Sequence, residues 1–536
     1  MNSVIYNPLE EYEGKFKNLH SDTTSRFFDS LTERSGVNIE ENRKTVKEYN
    51  DFKENLSKLK RKLNWWRFLR VLMCITIILI PLVIWKINPK IKGIKNDIEA
   101  VDKKIAELLA LAHNQMAPLN ALFTDRDCLK LIEETIPLVS FAPCFTVEQE
   151  TDMITNYDFK DHENGEQSTL DVLSGHYNEN PFLFENKLVH RMGVETYHGY
   201  KTIHWTETYR DSDGKTRTRS RSQTLHATVT KPKPFYNTQV LLNYCAQGGP
   251  ELSFSRDATS LHLKSDREIE RYVKRGERQL KKKTDKAIKN NQDFTSMSNT
   301  DFEVLFDALD RTDEVQFRTL FTPLAQTNMV DLIRSEAGYG DDFNFIKQNR
   351  TNQIISQHSQ NRVIIIPASA YVSYSFDIIK ENFTNKNAEY FKAIYFDFAP
   401  IWAIPIYQER PVHSLDPLPD YSRKYSYKEC EALANKVSAE YVVHPKTKTH
   451  AILKSTFIST QNQTDEISIS ASSYDIIPRV DYVSVHGGDG KWHNVPVNWD
   501  DYIPLEAKNN FFVTTLEKAS NKSIIAQRNN LCIFNN

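Results

Sequence analysis

From Val71 to Trp85 the chain carries no charge, and no other stretch limits so strongly what it can fold into. With its flanking turns, the segment Trp65 to Ile87, WWRFLRVLMCITIILIPLVIWKI, reaches the roughly 20 residues that a bilayer's hydrocarbon core requires of a helix. Trp65, Trp66 and Trp85 stand at its ends, where an indole keeps its apolar edge in lipid and its N–H among the headgroups. The adjacent Arg67, Arg70, Lys86 and Lys90 can snorkel outward. The pattern predicts a membrane anchor, with Pro81 inside it and the lipid bilayer as first partner. A buried core helix is the competing reading, disfavoured because such helices rarely carry tryptophan and basic clamps at both ends.

On either side, apolar residues recur three and four apart. Tyr49, Phe52, Leu56, Leu59, Leu63 and Trp66 precede the segment, and Ile91, Ile94, Ile98, Val101, Ile105, Leu108 and Ala112 follow it. This is the a/d seam of a coiled coil, too narrow a stripe to bury itself, so each half needs a partner helix. A spanning segment asks each half to pair with another copy or with the body of the protein. A segment that turns back near Pro81 lets the halves zip together antiparallel. Basic residues flank both ends, so the positive-inside rule does not choose. A turn buried in lipid without glycine leaves backbone groups unsatisfied, which favours spanning and self-association through the coils.

The chain has 536 residues, enough for about two to four folding units. A net charge of −2 argues against nucleic acid as a partner by bulk charge. Six scattered cysteines without a CxxC pair read as reduced thiols, and no signal peptide precedes the apolar segment. These features place the protein at the cell membrane with its bulk on the cytoplasmic side.

The expected class is α+β: an N-terminal membrane helix flanked by coiled-coil helices, then two β-rich units separated by a helical region. Residues 1–38 read as a loosely attached polar tail with a short helical candidate around Phe27, Phe28 and Leu31. Coiled-coil helices at 39–64 and 88–118 bracket the membrane segment 65–87. A β-rich domain follows at 119–264 and a helical region at 265–335. A strand-rich segment with a proline-rich connector spans 336–425, including strands expected in RVIIIPASAYVSYSFDII and in AEYFKAIYFDFAPIWAIPIYQ. The last unit, 426–536, is α+β, opening on a helix capped by Ser426 and Glu429.

The clearest hairpin joins HGYKTIHWTETYR to TRTRSRSQTLHATVTKPKP through DSDGK. Ile203, Trp205 and Tyr209 share one strand face; Leu225, Ala227 and Val229 share one on the other. Both sets reach one core only with an odd loop, for example Ser212, Asp213 and a left-handed Gly214. That register sets Arg221 opposite Trp205, Arg219 opposite Glu207 and Arg217 opposite Tyr209, which explains the arginines by cation–π and ion-pair contacts without a ligand.

The helix predicted over Ser265–Asn290 is strongly basic, and Lys274, Arg278, Lys281, Lys282 and Lys283 could meet a lipid or partner surface, although a solvated face is the default. Thr300 with Glu303 reads as a second capping box, and Glu314 with Arg318 as an i, i+4 pair. Phosphate-loop, dinucleotide, zincin and nucleophile-elbow signatures are absent, so no cofactor is expected and the reading leans away from an enzyme. The nearest approach to catalytic chemistry is GYGDDF, where Asp341 and Asp342 resemble paired metal-binding carboxylates. The plainer reading is a glycine turn whose aspartates cap backbone N–H groups. Histidine pairs at 198/204, 444/450 and 486/493 lack the company a zinc site needs.

SQTLHATVTKPKPFY, LSFSR at Leu252 to Arg256, EVQFRTLFTPLAQ, GYGDDFNF and IPIYQ together resemble an uncharacterised family of membrane proteins from low-GC Gram-positive bacteria and mollicutes, over roughly residues 190 to 410. The resemblance implies a bacterial, membrane-tethered body and brings no activity. Two classes of function follow: a membrane-anchored scaffold or interaction protein of unknown partner, oligomerising through its coils, or a metal-dependent enzyme or nucleic-acid-processing factor using Gly338 to Phe343.

Overall fold

A computed structural model describes residues 4–75, 83–160, 165–290, 294, 296–411, 424–437, 439–461, 464–514 and 531–534. The chain is mixed α+β and divides into two compact units.

One unit, Glu10–Pro137 with Ile365–Tyr395, is helical. Helix Lys17–Ser35, which follows a π-helical turn at Tyr12–Phe16, is ended by Gly36 in the left-handed region (φ +62°), where glycine avoids a Cβ penalty. The expected loose tail is thus part of the core. Phe28 is buried against Phe376 and Phe383, and His20 stacks on Phe391 at 4.0 Å. The partners lie in a helix, Phe376–Trp402, where the sequence predicts strands. Phe376, Ile379, Phe383, Asn387 and Phe391 recur at helical spacing and are all buried, so a 3.6-residue period underlies the aromatic run. Only residues up to Tyr395 of this helix belong to this unit. Ahead of it, the expected strand at RVIIIPASAYV is turns and a short 3-10 segment, Ala368–Ala370.

The anchor prediction is corrected here. Among the described residues no helix is long and apolar enough to cross a membrane. Residues 76–82, Pro81 among them, lie outside the described residues. Helix Ile39–Ile75 before them and helix Asn88–Asn120 after them pack on each other within one chain. Leu63, Val83, Ile87, Ile91 and Ile94 form one buried cluster, with Trp66, Leu69, Met73 and Ile98 against it. The clamp residues divide: Trp65 and Trp85 are exposed, as are Arg67, Arg70 and Lys86, while Trp66 is half-buried beneath the Lys90 ammonium at 4.7 Å.

The coiled-coil prediction is corrected with it, since the seams find their partners inside the chain. Tyr49 is buried against Tyr374, and Leu108 is buried on the opposing helix. Phe52, Leu56, Leu59, Val101 and Ile105 are half-buried.

The other unit comprises Met1–Leu9, Leu138–Ile364 and Phe396–Asn536. Its larger sheet has seven antiparallel strands in the order β1-β2-β3-β4-β7-β6-β5. These are β1 Val139–Phe141, β2 Gln167–Tyr177, β3 Asn180–Arg210, β4 Thr216–Cys245, β5 Ser253–Arg256, β6 Phe343–Gln348 and β7 Thr351–Ser356. The strands at 343–356 therefore rejoin the first sheet across the helical region instead of starting a second one. One sheet face sets Phe182, Phe184 and Tyr244 around Phe398, with Trp402 stacked behind it. The other buries Val172, Leu183 and Cys245 beneath Met153, Tyr157 and Ala432.

The second sheet runs β11-β10-β9-β8, from β8 Ile452–Gln461, β9 Thr464–His486, β10 Trp492–Thr514 and β11 Leu531–Phe534. Its base packs under helix Tyr427–Asn435, capped by Ser426 as expected. Cys128, Cys245 and Cys430 are buried.

Candidate functional site

Asp341 sits in the turn that follows Tyr339 and Gly340, both at positive φ. A Cβ on Gly340 would run into the His262 ring, so this position requires glycine. Both Asp341 oxygens are occupied. One carries the buried ion pair to Arg256; the other accepts from the Thr259 hydroxyl, from Thr259 N at 3.1 Å and from Leu261 N at 3.3 Å. Asp342 faces elsewhere and accepts from His358 through the ring Nδ1 (2.6 Å) and the backbone N–H (3.1 Å). The His358 Nε2 lies 3.4 Å from Asp397, which also holds Arg362 and the Ser359 hydroxyl. These carboxylates are spent on internal cations and backbone donors. Among the described residues no group of three or more histidines, cysteines and acids could hold a metal ion.

The basic helix spans Asp266–Lys289 and is opened by the Ser265–Glu268 capping box. Lys274, Arg278, Lys281 and Lys282 are exposed. Lys283 is half-buried: it donates to the Leu309 carbonyl at 2.6 Å and lies over the Phe294 ring. Burial and the nearby Arg311 lower its pKa below the usual lysine value. Two local readings shift as well. Asn299, not Thr300, caps the next helix, and Glu314 pairs with Arg311 at 2.9 Å.

The feature that composition alone conceals is the length of the β3–β4 hairpin. β2 pairs with β3 only over Asn180–Val189, and β7 pairs with β4 only over Leu242–Cys245. The rest continues as a two-stranded ribbon, roughly 65 Å long at the usual rise per residue. Its register is the one the hydrophobic pattern demands, with Trp205 opposite Arg221, Glu207 opposite Arg219 and Tyr209 opposite Arg217, and Gly214 is left-handed in the turn. The arginine pairings slide diagonally: Arg221 binds Glu207 at 2.9 Å and Arg217 binds Asp211 at 2.6 Å.

A lone ribbon is marginal in water. This one is buttressed by the β9–β10 hairpin, whose Val495 and Val497 pack on Ile203, Leu225 and Ala227. Gly199 permits the approach, since a Cβ there would lie 2.2 Å from the Pro496 carbonyl oxygen. Lys231 bridges to Asp481 at 2.7 Å across the Trp499 ring. The second hairpin ends where Gly488 N donates to Gln223, beside Trp205, and the ribbon tip runs on beyond it.

The ribbon's other face is exposed and uncharged. It presents Thr196, His198, Tyr200, Thr202, His204, Thr206 and Thr208 against Thr230, Thr228, His226, Thr224, Ser222, Ser220 and Thr218. Over 196–208 and 218–230 every charged residue is on the buttressed face, and the outward side meets a charge only at Arg210, the last residue of β3. His198 Nδ1 and His226 Nε2 are 3.0 Å apart in nearly parallel rings, joined by one hydrogen bond, and Tyr200 stacks on His226. His198 thus pairs across strands instead of with His204, its sequence neighbour in period. The signal that could have exposed this face was the unbroken Thr/Ser/His/Tyr alternation at even positions, which the conspicuous arginines obscured.

Comparison with protein-family models, with curated proteins and with solved structures finds no match.

Proposed function

We propose that this chain is a non-catalytic interaction protein whose buttressed ribbon is its binding arm. The supporting observation is the outward face of β3 and β4. Its hydroxyls, imidazoles and one aromatic ring, with Tyr200 63% exposed, offer hydrogen bonds in both directions and no net charge. Such a face suits a flat protein surface, because neither partner must strip water from an ion to make contact. The second hairpin packs behind it through Val495 and Val497, which reduces the ordering entropy that opposes binding. The reading replaces lipid tethering and coil-driven assembly with a single protruding surface.

A photo-crosslinking side chain placed at Tyr200 tests it in cells of the source organism, with the same side chain at the solvent-facing Lys274 as control. The arm reading expects a discrete adduct from position 200 that Thr202→Lys abolishes. Adducts equally abundant from both positions, or none from position 200, would sink it.

A further inference from the structure

On the sheet face opposite Phe398, between the cover of helix Val147–Tyr157 and the outer strands, lies a groove of about 350 Å³. That volume is in the range of small-ligand sites. Its lining is rich in amides: Gln167, Gln239, Asn243, Gln348 and Gln353 contribute five side-chain amides, beside Lys187, Lys160 and the apolar wall of Phe159, Leu241 and Ile346, while the Asp158 carboxylate at its edge is paired with Arg350 at 2.8 Å. The strand register explains the clustering, since Asn243 lies opposite Gln353 and Gln239 opposite Lys187.

The floor is pre-organised. Glu185 is fully buried and held by Lys428 at 2.6 Å and Lys187 at 3.0 Å; it accepts from Asn243 Nδ2 at 2.9 Å, and Gln353 Nε2 donates to Asn243 Oδ1 at 3.1 Å. This chain of bonds fixes Asn243 and Gln353 in one amide orientation. By contrast, the Gln239 and Gln348 amides make no hydrogen bond among the described residues. Lys187 shares its one carboxylate with Lys428, and at 19% exposure keeps N–H groups for a second anion at the groove wall.

We propose that this groove binds an acidic saccharide, one or two sugar units with a single carboxylate. Planar amides offer a donor and an acceptor side by side, which matches vicinal hydroxyls, whereas a bare phosphate needs donors only. Phe159, Leu241 and Ile346 supply an apolar surface for the C–H face of the ring. The carboxylate lies on Lys187. The site is independent of the ribbon.

The test is calorimetric titration of the full chain with a glucuronic-acid-containing disaccharide, the matching neutral disaccharide, inorganic phosphate and an acidic tripeptide, backed by an array of acidic and neutral saccharides. The acidic disaccharide is expected to bind roughly tenfold more tightly than the neutral one. Lys187→Gln, which leaves the Lys428–Glu185 pair in place, should erase that difference, and Gln239→Ala with Gln348→Ala should weaken both sugars with no change in thermal stability. Phosphate binding as tightly as the disaccharide, tighter binding of the tripeptide, or no saccharide of the array binding at millimolar concentration would each overturn the proposal.

Discussion

Arg256 and Asp341, 85 residues apart in sequence, form an ion pair in which neither side chain is exposed. The guanidinium also donates to the Phe343 carbonyl at 2.8 Å and lies 4.3 Å over the Phe343 ring. β5 and the GYGDDF turn are thereby tied together at the edge of the large sheet. The aspartate serves as the counter-ion of a buried guanidinium.

Asp341→Ala leaves that guanidinium buried without its carboxylate, and should cost about 3–5 kcal/mol in urea unfolding. Replacing both partners with apolar residues of similar volume should recover most of the loss. Magnesium and manganese should leave the unfolding midpoint of the native chain unchanged. A metal-induced rise that disappears in Asp341→Ala would revive the metal-dependent reading.

Local chemistry was legible where neighbours in sequence are neighbours in space. The Ser265 and Ser426 caps, the Gly214 turn and the opposition of Trp205 to Arg221 follow from spacing alone. The failures share a cause, which is a partner far along the chain. Phe28 looks solitary until Phe376 and Phe383 arrive from the helix beyond residue 375. The apolar run after Val71 has the composition of an anchor, yet its described flanks face each other, and pairing of two distant helices is invisible to a window scanned along one of them. The sheet groove escaped for the same reason, because Asn243 and Gln353 are 110 positions apart in the sequence.

His20 makes stability depend on mild acidification. Burial lowers its pKa from 6.5 to about 4, against the opposing pull of the Asn387 and Leu131 carbonyls. The folded state thus stays neutral while the unfolded chain takes up a proton. Stability is unaffected above pH 6.5 and falls as pH drops from there toward 4, by at most about 3 kcal/mol. Urea titrations across this window should show His20→Gln losing that slope. An unchanged slope would mean another group carries it.

The ribbon tip beyond Trp205 runs past the end of the second hairpin, and Glu207 returns only to Trp205 and Arg221 among the described residues. Replacing residues 206–220 with Asn-Gly keeps Trp205 opposite Arg221 and supplies the two-residue turn that hairpins favour. Unfolding free energy should change by less than about 0.5 kcal/mol. Gly199→Val should instead cost about 1–3 kcal/mol by forcing the buttress away from Pro496. Equal losses in the two variants would mean that the tip is packed.

Glu185 sets the acid limit of the large sheet. Burial alone would raise its pKa, but Lys187 and Lys428 outweigh that and bring it from 4.5 down to about 2. A depressed carboxylate contributes stability above its unfolded value, here 4.5, and that contribution drains away as pH falls toward 2. The two lysines are not equivalent. Lys428 is 3% exposed at 2.6 Å from the carboxylate, while Lys187 is 19% exposed at 3.0 Å. Lys428→Met therefore strands more of the charge in the interior, and its loss should exceed that of Lys187→Gln at neutral pH. It should also move the acid limb of unfolding to higher pH, because Glu185 then protonates sooner. Denaturation followed from pH 7 to pH 2 separates the two variants. Coincident curves would show that the carboxylate does not depend on its buried lysine.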